Sequence, residues 1–356
     1  MKDFINNILQ KYFQKGAENI FRQSPLLQYL NLKTSAVYSN TKARRSLANL
    51  YAIYALLYFY VKDFFDSKEI YKKFEGYEYT KLFKLYRSLY GGEKLQNHAL
   101  NSRVNGEFKN KITGEYANDL IIINNGKYLI HIEYLYVNDQ DISKIALEIL
   151  QEYIRLLKNK DFYLTSLLNN LLCNQDINFK KDNIKRLLQE DCEARIFEII
   201  AYAILKNYYK NEKIYIGRSP NELEERYLEL YKTGRTNAND GGIDFVMRPL
   251  GRFFQVTEVN NYDKYLLDID KVLHFPITFI VKTHLSRESI LNDLQIYISK
   301  KSQGMQVIQD RYKYAIEEII TINELLIWFE SLDDICVNLL IQDIEFYYKL
   351  ELNLLV

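Results

Sequence analysis

The chain has 356 residues, enough for two or three domains, and an apolar fraction of 48% that can supply a substantial core. Its 47 lysines and arginines nearly balance 46 aspartates and glutamates, which excludes a global basic field for nucleic acid and an acidic solvating tail. Any polyanion has to be held by a local patch.

The three cysteines, Cys173, Cys192 and Cys336, lie far apart without paired spacing, so no disulfide framework or cysteine zinc site is expected and a reducing cytoplasm is. The four histidines, His98, His131, His274 and His284, form no HxxxH or HxH pair, which argues against a zinc hydrolase.

In chain order, "MKDFINNILQKYFQKG" carries charges within its apolar pattern and lacks a small-residue cleavage site, so an amphipathic helix is expected rather than a secretory signal. The uncharged run at 46 to 61, "SLANLYAIYALLYFYV", is shorter than the ~20 residues a bilayer needs and rich in tyrosine, so it is expected as a buried helix, with no membrane partner. Residues 1–95 form a helical region on this pattern. Region 96–185 opens with "DLIIINNGKYLIHIEYLYV", two strands about an Asn-Asn-Gly turn, followed by helices.

A helix is expected over 191–208, and a second over 220–234, where Ser219, Pro220 and Glu222 make an N-terminal signature. Two strands follow in the stretch 238–259, "ANDGGIDFVMRPLGRFFQVTEV". A helix over 262–273 and the strand "FPITFIVKT" at 275–283 complete a region 186–300, and 301–356 reads as C-terminal helices. The order is helix, helix, strand, strand, helix, strand, which makes a small α/β (α+β) unit set between helical segments.

The two strands of 238–259 join through Arg248-Pro249-Leu250-Gly251, and period two puts Gln255, Thr257 and Val259 on one face and Phe254, Val256 and Glu258 on the other. Asp244 starts the first strand and can approach Gln255 and Thr257 where the strands splay. An acid, an amide and a hydroxyl suit Mg²⁺, with Asp244 as the anionic ligand and the Gln255 side-chain oxygen and Val256 carbonyl as neutral ones. Such an ion assists phosphodiester hydrolysis by polarising a phosphoryl oxygen and acidifying water. For a second acid, stepping 100° per residue puts Glu193 on the stripe of Ile196, Phe197, Ile200 and Ile204, expected to face the sheet, and Glu198 on the opposite side. Alternatively, Glu193 complements the positive end of its helix.

"DGGIDFVM…LGRFFQVTE" resembles the PD-(D/E)XK nuclease superfamily, in particular its Mrr-like pattern of Gly-Gly-Ile-Asp on one strand and Gln-x-Lys on the next. The longer phrase is similar to the ApaLI-like group of type II restriction endonucleases. The resemblance spans about a quarter of the chain and implies a restriction-endonuclease-like αβββαβ core with a mixed sheet, "KIYIG" at 213–217 being the candidate first strand. It also implies a Mg²⁺-dependent nuclease cutting double-stranded DNA, working as a homodimer, with a DNA methyltransferase as genetic partner. Glu193, Asp244 and Gln255 then match the family's acids and glutamine.

Thr257 falls where the family has its lysine. A lysine from elsewhere, Lys264 or Lys282, replaces its charge, or Thr257 positions water while Glu258 or metal ions carry more of the chemistry, or the site is inactive. A catalytically inactive or modification-dependent DNA-binding protein on a degenerate nuclease core is the alternative function.

For DNA contacts the loop "TGRTNAND" offers Arg235, Asn237 and Asn239, and "NTKARRS" and "NSRVNGEFKNK" offer Lys42, Arg44, Arg45, Arg103, Lys109 and Lys111. Asp119 and His131-x-Glu133 on the first hairpin lack a Gly-Gly pair and an acid-bearing helix before them, so a structural or DNA-touching sheet is expected there. Trp328, Phe329, Phe346 and Tyr347 suit either a dimer interface or a helical core.

Overall fold

The computed structural model describes residues 1–34, 47–93, 101–234, 242–258 and 261–352. Contacts divide the chain into two compact units, Met1–Tyr163 and Leu164–Val356.

The first unit is mainly helical, with α1 (Asp3–Phe13), α2 (Ala17–Gln23), α3 (Pro25–Lys33), α4 (Leu47–Phe64), α5 (Lys68–Tyr71), β1 (Tyr77–Glu78), α6 (Tyr79–Ser88) and α7 (Ser102–Phe108). The expected hairpin follows as β2 (Ile121–Asn124) and β3 (Lys127–Ile130), with β1 paired to β3. Asn125 and Gly126 take the positive φ that a two-residue hairpin turn requires, 47° and 78°. A small ribbon of β4 (Tyr136–Val137) and β5 (Gln140–Asp141) leads into α8 (Ser143–Cys173), within which the unit boundary falls. As expected from its tyrosine-rich apolar run, α4 is buried along most of its length. Among the described residues no helix is long and apolar enough to cross a membrane.

The second unit continues with α9 (Ile177–Leu187), α10 (Ala194–Tyr209), β6 (Lys213–Ile216), β7 (Glu224–Tyr227), β8 (Glu229–Lys232), β9 (Phe245–Arg248) and β10 (Arg252–Thr257). Then come α11 (Tyr262–Lys271), β11 (Ile277–Val281), α12 (Arg287–Lys301), α13 (Gln306–Ala315), β12 (Ile316–Thr321), α14 (Ile322–Glu330) and α15 (Asp334–Leu352). Five strands form one sheet in the order β12-β11-β10-β9-β8. Pairing is antiparallel from β8 to β10 and parallel from β10 to β12, so the sheet is mixed.

Two parallel crossovers step the same way, through α11 and through α12 with α13, and a single crossover hand puts both on one face. Packing agrees, because Ile277, Phe279, Val281 and Ile319 share a core with Tyr265, Ile269, Ile290 and Leu294. Phe245, Met247, Phe254, Ile280 and Ile320 turn the other way, into a core with α10, α14 and α15. The sheet is therefore covered on both faces, and all five residues of its interior strand β11 are buried.

Three expectations need correction. Residues 220–234 contain the strands β7 and β8 rather than a helix. Leu228 and Leu230 are buried in the core, and β8 gains a ladder with β9, which outweighs a local N-terminal signature. "KIYIG" does form a strand, but β6 pairs with β7 in a separate two-stranded ribbon, leaving β8 as the first strand of the main sheet. The C-terminal region is not all helix, since β12 joins the sheet edge.

The junction from β12 to α14 depends on a reciprocal cap. The Thr321 hydroxyl accepts the Asn323 amide, and the Glu324 carboxylate accepts the Thr321 amide at 2.7 Å. Thr321→Ala is expected to cost about 1 kcal/mol, within the usual range for a lost cap, and to lower the thermal midpoint by a few degrees in a melting experiment.

Candidate functional site

The hairpin of β9 and β10 departs from a regular ladder at Asp244. Phe245 pairs with Phe254, but the next contacts are the Asp244 amide donating to the Phe254 carbonyl at 2.9 Å and the Val256 amide donating to Asp244 Oδ2 at 2.7 Å. A carboxylate has replaced a backbone acceptor, which fixes the acid against β10 between Gln255 and Thr257. The Asp244 carboxylate is thereby held at the backbone of Val256, the residue between Gln255 and Thr257.

Gln255 and Thr257 lie beside Phe279 and Val281 in the parallel ladder, and both neighbours belong to the core under α11 and α12. Alternation thus turns Gln255 and Thr257 toward α11. They are 6% and 3% exposed, and neither Gln255 Oε1 nor Thr257 Oγ1 has a hydrogen-bond partner. The Gln255 amide nitrogen donates to the Val256 carbonyl at 3.3 Å, which leaves its oxygen as the available group. An unpaired buried polar group costs about 1–3 kcal/mol, so two on neighbouring positions of one strand call for an explanation.

Gly242 begins this motif with φ +88°, and a Cβ there would lie 3.1 Å from Lys271 Cδ and 3.3 Å from Asp268 Oδ1. The glycine thus admits the backbone close to α11. Gly242→Ala is expected to destabilise the fold by about 1–2 kcal/mol through its left-handed backbone, read as a lowered midpoint in thermal melting.

Of the two placements expected for the helix acid, the structure has the one at the N-terminal end of its helix. Glu193 is the N-cap of α10, with φ −59° and ψ 133°, and its carboxylate pairs with Arg195 at 3.1 Å. Glu198, expected to point away from the sheet, is instead buried and pairs at 2.7 Å with Lys232 on β8. The reason is that α10 is buried almost all round, by α14 and α15 as well as by the sheet, so its apolar stripe does not mark the sheet side. Moreover, α10 covers the face opposite to the one that Gln255 and Thr257 occupy.

The lysines proposed to replace the missing charge do not gather at Thr257. Lys282 donates its amide to the Thr257 carbonyl, but its side chain, buried, reaches the Cys192 carbonyl at 2.9 Å and Glu258 at 3.3 Å. Glu258 is half-exposed and lies one step out of phase with Thr257. Lys264 is in the first turn of α11 and half-buried. Nearby, Glu190 accepts the His284 amide and the Thr283 hydroxyl, which hold its carboxyl below the usual glutamate range. That bond adds stability above the ordinary glutamate pKa and loses it as pH falls through the lowered value.

Arg235, Asn237 and Asn239, like Lys42, Arg44 and Arg45, lie outside the described residues. Lys109 pairs with Asp119 at 2.7 Å, and Arg103 lies 3.8 Å from Glu107. His131 Nδ1 accepts the Glu133 amide, so that pair closes a local turn. Of the residues considered for an interface, Phe329 is buried, Trp328 stacks on Tyr208, Tyr347 packs edge-on against Tyr202, and Phe346 is exposed.

Among the described residues no group of three or more His, Cys, Asp or Glu side chains is disposed to hold a metal ion. Mg²⁺ does not require one, since one or two carboxylates with neutral oxygens and waters suffice. The Asp244 carboxylate, the unpaired Gln255 oxygen and the Thr257 hydroxyl are all hard oxygen donors and fit such an ion. No family model matches the chain, and neither a curated protein nor a solved structure matches it.

Proposed function

We propose that this chain is a Mg²⁺-dependent endonuclease that hydrolyses phosphodiester bonds of double-stranded DNA at a specific short sequence, as a type II restriction enzyme does. The observation that carries it is the carboxylate of Asp244 held on the Val256 amide, between two buried side chains of β10 whose oxygens have no partner. Apart from the separate β6–β7 ribbon inserted after α10, the order α10, β8, β9, β10, α11, β11 supports the αβββαβ order of a restriction-endonuclease-like core.

Asp244, Gln255 and the Val256 carbonyl would hold the ion, with Thr257 beside them. When bound, it supplies positive charge to the phosphoryl oxygen and lowers the pKa of water. In the hydrolysis a water oxygen bonds to phosphorus, the bond to one sugar oxygen breaks, and that oxygen takes up a proton. Burial of Gln255 and Thr257 fixes their positions before DNA arrives, so little reorganisation is left for the reaction. A homodimer would bring one site to each strand of a palindrome, and a DNA methyltransferase would be the genetic partner that such a role requires.

One observation favours a second reading, a DNA-binding protein on an inactive core: Thr257 has no ammonium group where the family has lysine, and Lys282 is engaged elsewhere. Incubating plasmid DNA with the protein and Mg²⁺, beside Asp244→Asn, separates the two. Discrete fragments that disappear with the substitution support the enzyme; DNA retarded in a gel but uncut by either protein supports the binding protein.

A further inference from the structure

Four buried side-chain oxygens without a hydrogen-bond partner lie in one layer between β10 and α11. They are Gln255 Oε1, Thr257 Oγ1, the Tyr265 hydroxyl and Asp268 Oδ2. Tyr265 and Asp268 are three apart on α11 and so share its inner face, where they are 0% and 1% exposed. The Tyr265 ring packs 4.9 Å from that of Phe279, the cross-strand neighbour of Gln255. Asp268 Oδ1 lies against Gly242, two residues before Asp244. Strand and helix therefore present their unpaired oxygens to the same layer.

A buried carboxylate with one free oxygen is costly unless a cation completes it. Lys271 satisfies Oδ1 at 2.8 Å, and its stem passes over Gly242, where a Cβ would crowd it. Oδ2 remains open. The Tyr265 phenol, which burial pushes up and keeps neutral, can donate to a carboxylate or to water.

We infer that α11 supplies the second carboxylate of the metal centre through Asp268, together with Asp244 and Gln255, and that Lys271 supplies the positive charge absent at Thr257. This rests on the metal centre proposed for Asp244, and it replaces Glu193, which its N-cap position and Arg195 already occupy. Two acids and an amide oxygen then surround the ion, and a flexible ammonium, 42% exposed, stands beside it where a phosphate can reach.

The test is Mn²⁺ binding without DNA, followed by electron paramagnetic resonance up to millimolar metal, on the whole protein and four variants. Asp268→Asn and Asp244→Asn are each expected to weaken Mn²⁺ binding at least about tenfold, and Glu193→Gln to leave it within about twofold. Lys271→Met is expected to tighten it, by removing a competing cation and freeing Oδ1. If Asp268→Asn failed to fold, Lys271→Met would still decide, because a purely structural ion pair predicts lost thermal stability with unchanged affinity. Unchanged binding in Asp268→Asn beside lost binding in Asp244→Asn overturns the role of α11 and leaves the metal centre standing. Unchanged binding in Asp244→Asn, or none in the parent protein, overturns both.

Discussion

Asp244→Asn is expected to reduce plasmid cleavage by a factor on the order of a hundred to a thousand while shifting the thermal midpoint by only a few degrees. The carboxylate has two duties, and the substitution separates them. Asparagine keeps an oxygen to accept the Val256 amide, now 2.7 Å from Asp244 Oδ2, but loses the charge that would hold a cation. Asp244→Ala loses both, and leaving that half-buried amide without its acceptor adds a stability cost of about 1 kcal/mol. Equal activity loss in the two variants, with the larger fall in midpoint for alanine, is the expected pattern. A structural role alone predicts that asparagine retains activity.

Lys232→Met is expected to be the most destabilising of the substitutions considered, by about 3–5 kcal/mol, because it leaves Glu198 charged and buried without its ammonium. The pair is enclosed, with side-chain exposures of 7% and 9%, and Lys232 Nζ lies 5.7 to 6.0 Å from the centroids of Phe245, Tyr347 and Tyr202. Such surroundings suit an apolar replacement of both partners. The double variant Glu198→Leu/Lys232→Met is therefore expected to recover most of the loss in a denaturant titration. If the single substitution costs no more than an exposed pair does, the ion pair is not what joins α10 to β8.

The hairpin was legible because its chemistry is local. Asp and Gln flank a turn at a spacing that suits a strand-turn-strand, and the observed register pairs Phe245 with Phe254, the residues next to Asp244 and Gln255. The stripe reading that set Glu193 toward the sheet and Glu198 away from it failed because period 3.6 identifies a buried face only when one face is exposed, and α10 has neighbours on nearly every side. β8 and β12 were missed for a related reason. β8 lies in a stretch with a helix N-terminal signature, and β12 gains its ladder from β11 across two intervening helices, which local signals do not report.

A signal for Asp268 was nevertheless present. In "YLLDID" it sits three residues after Tyr265 on the side that carries Leu266 and Ile269, where an acid is out of place. Its relation to Gly242 depends on the fold, since α11 must cross the sheet before the two meet. The lysine absent at position 257 has a counterpart in Lys271 by the same route, from a helix rather than along the strand.

The most direct measurement is cleavage of plasmid DNA by the purified protein in Mg²⁺ and in excess chelator, with fragment ends mapped. The account predicts discrete fragments in Mg²⁺ sharing one short sequence at their ends, and none in chelator. Intact plasmid in Mg²⁺, with the DNA nonetheless bound, would contradict it.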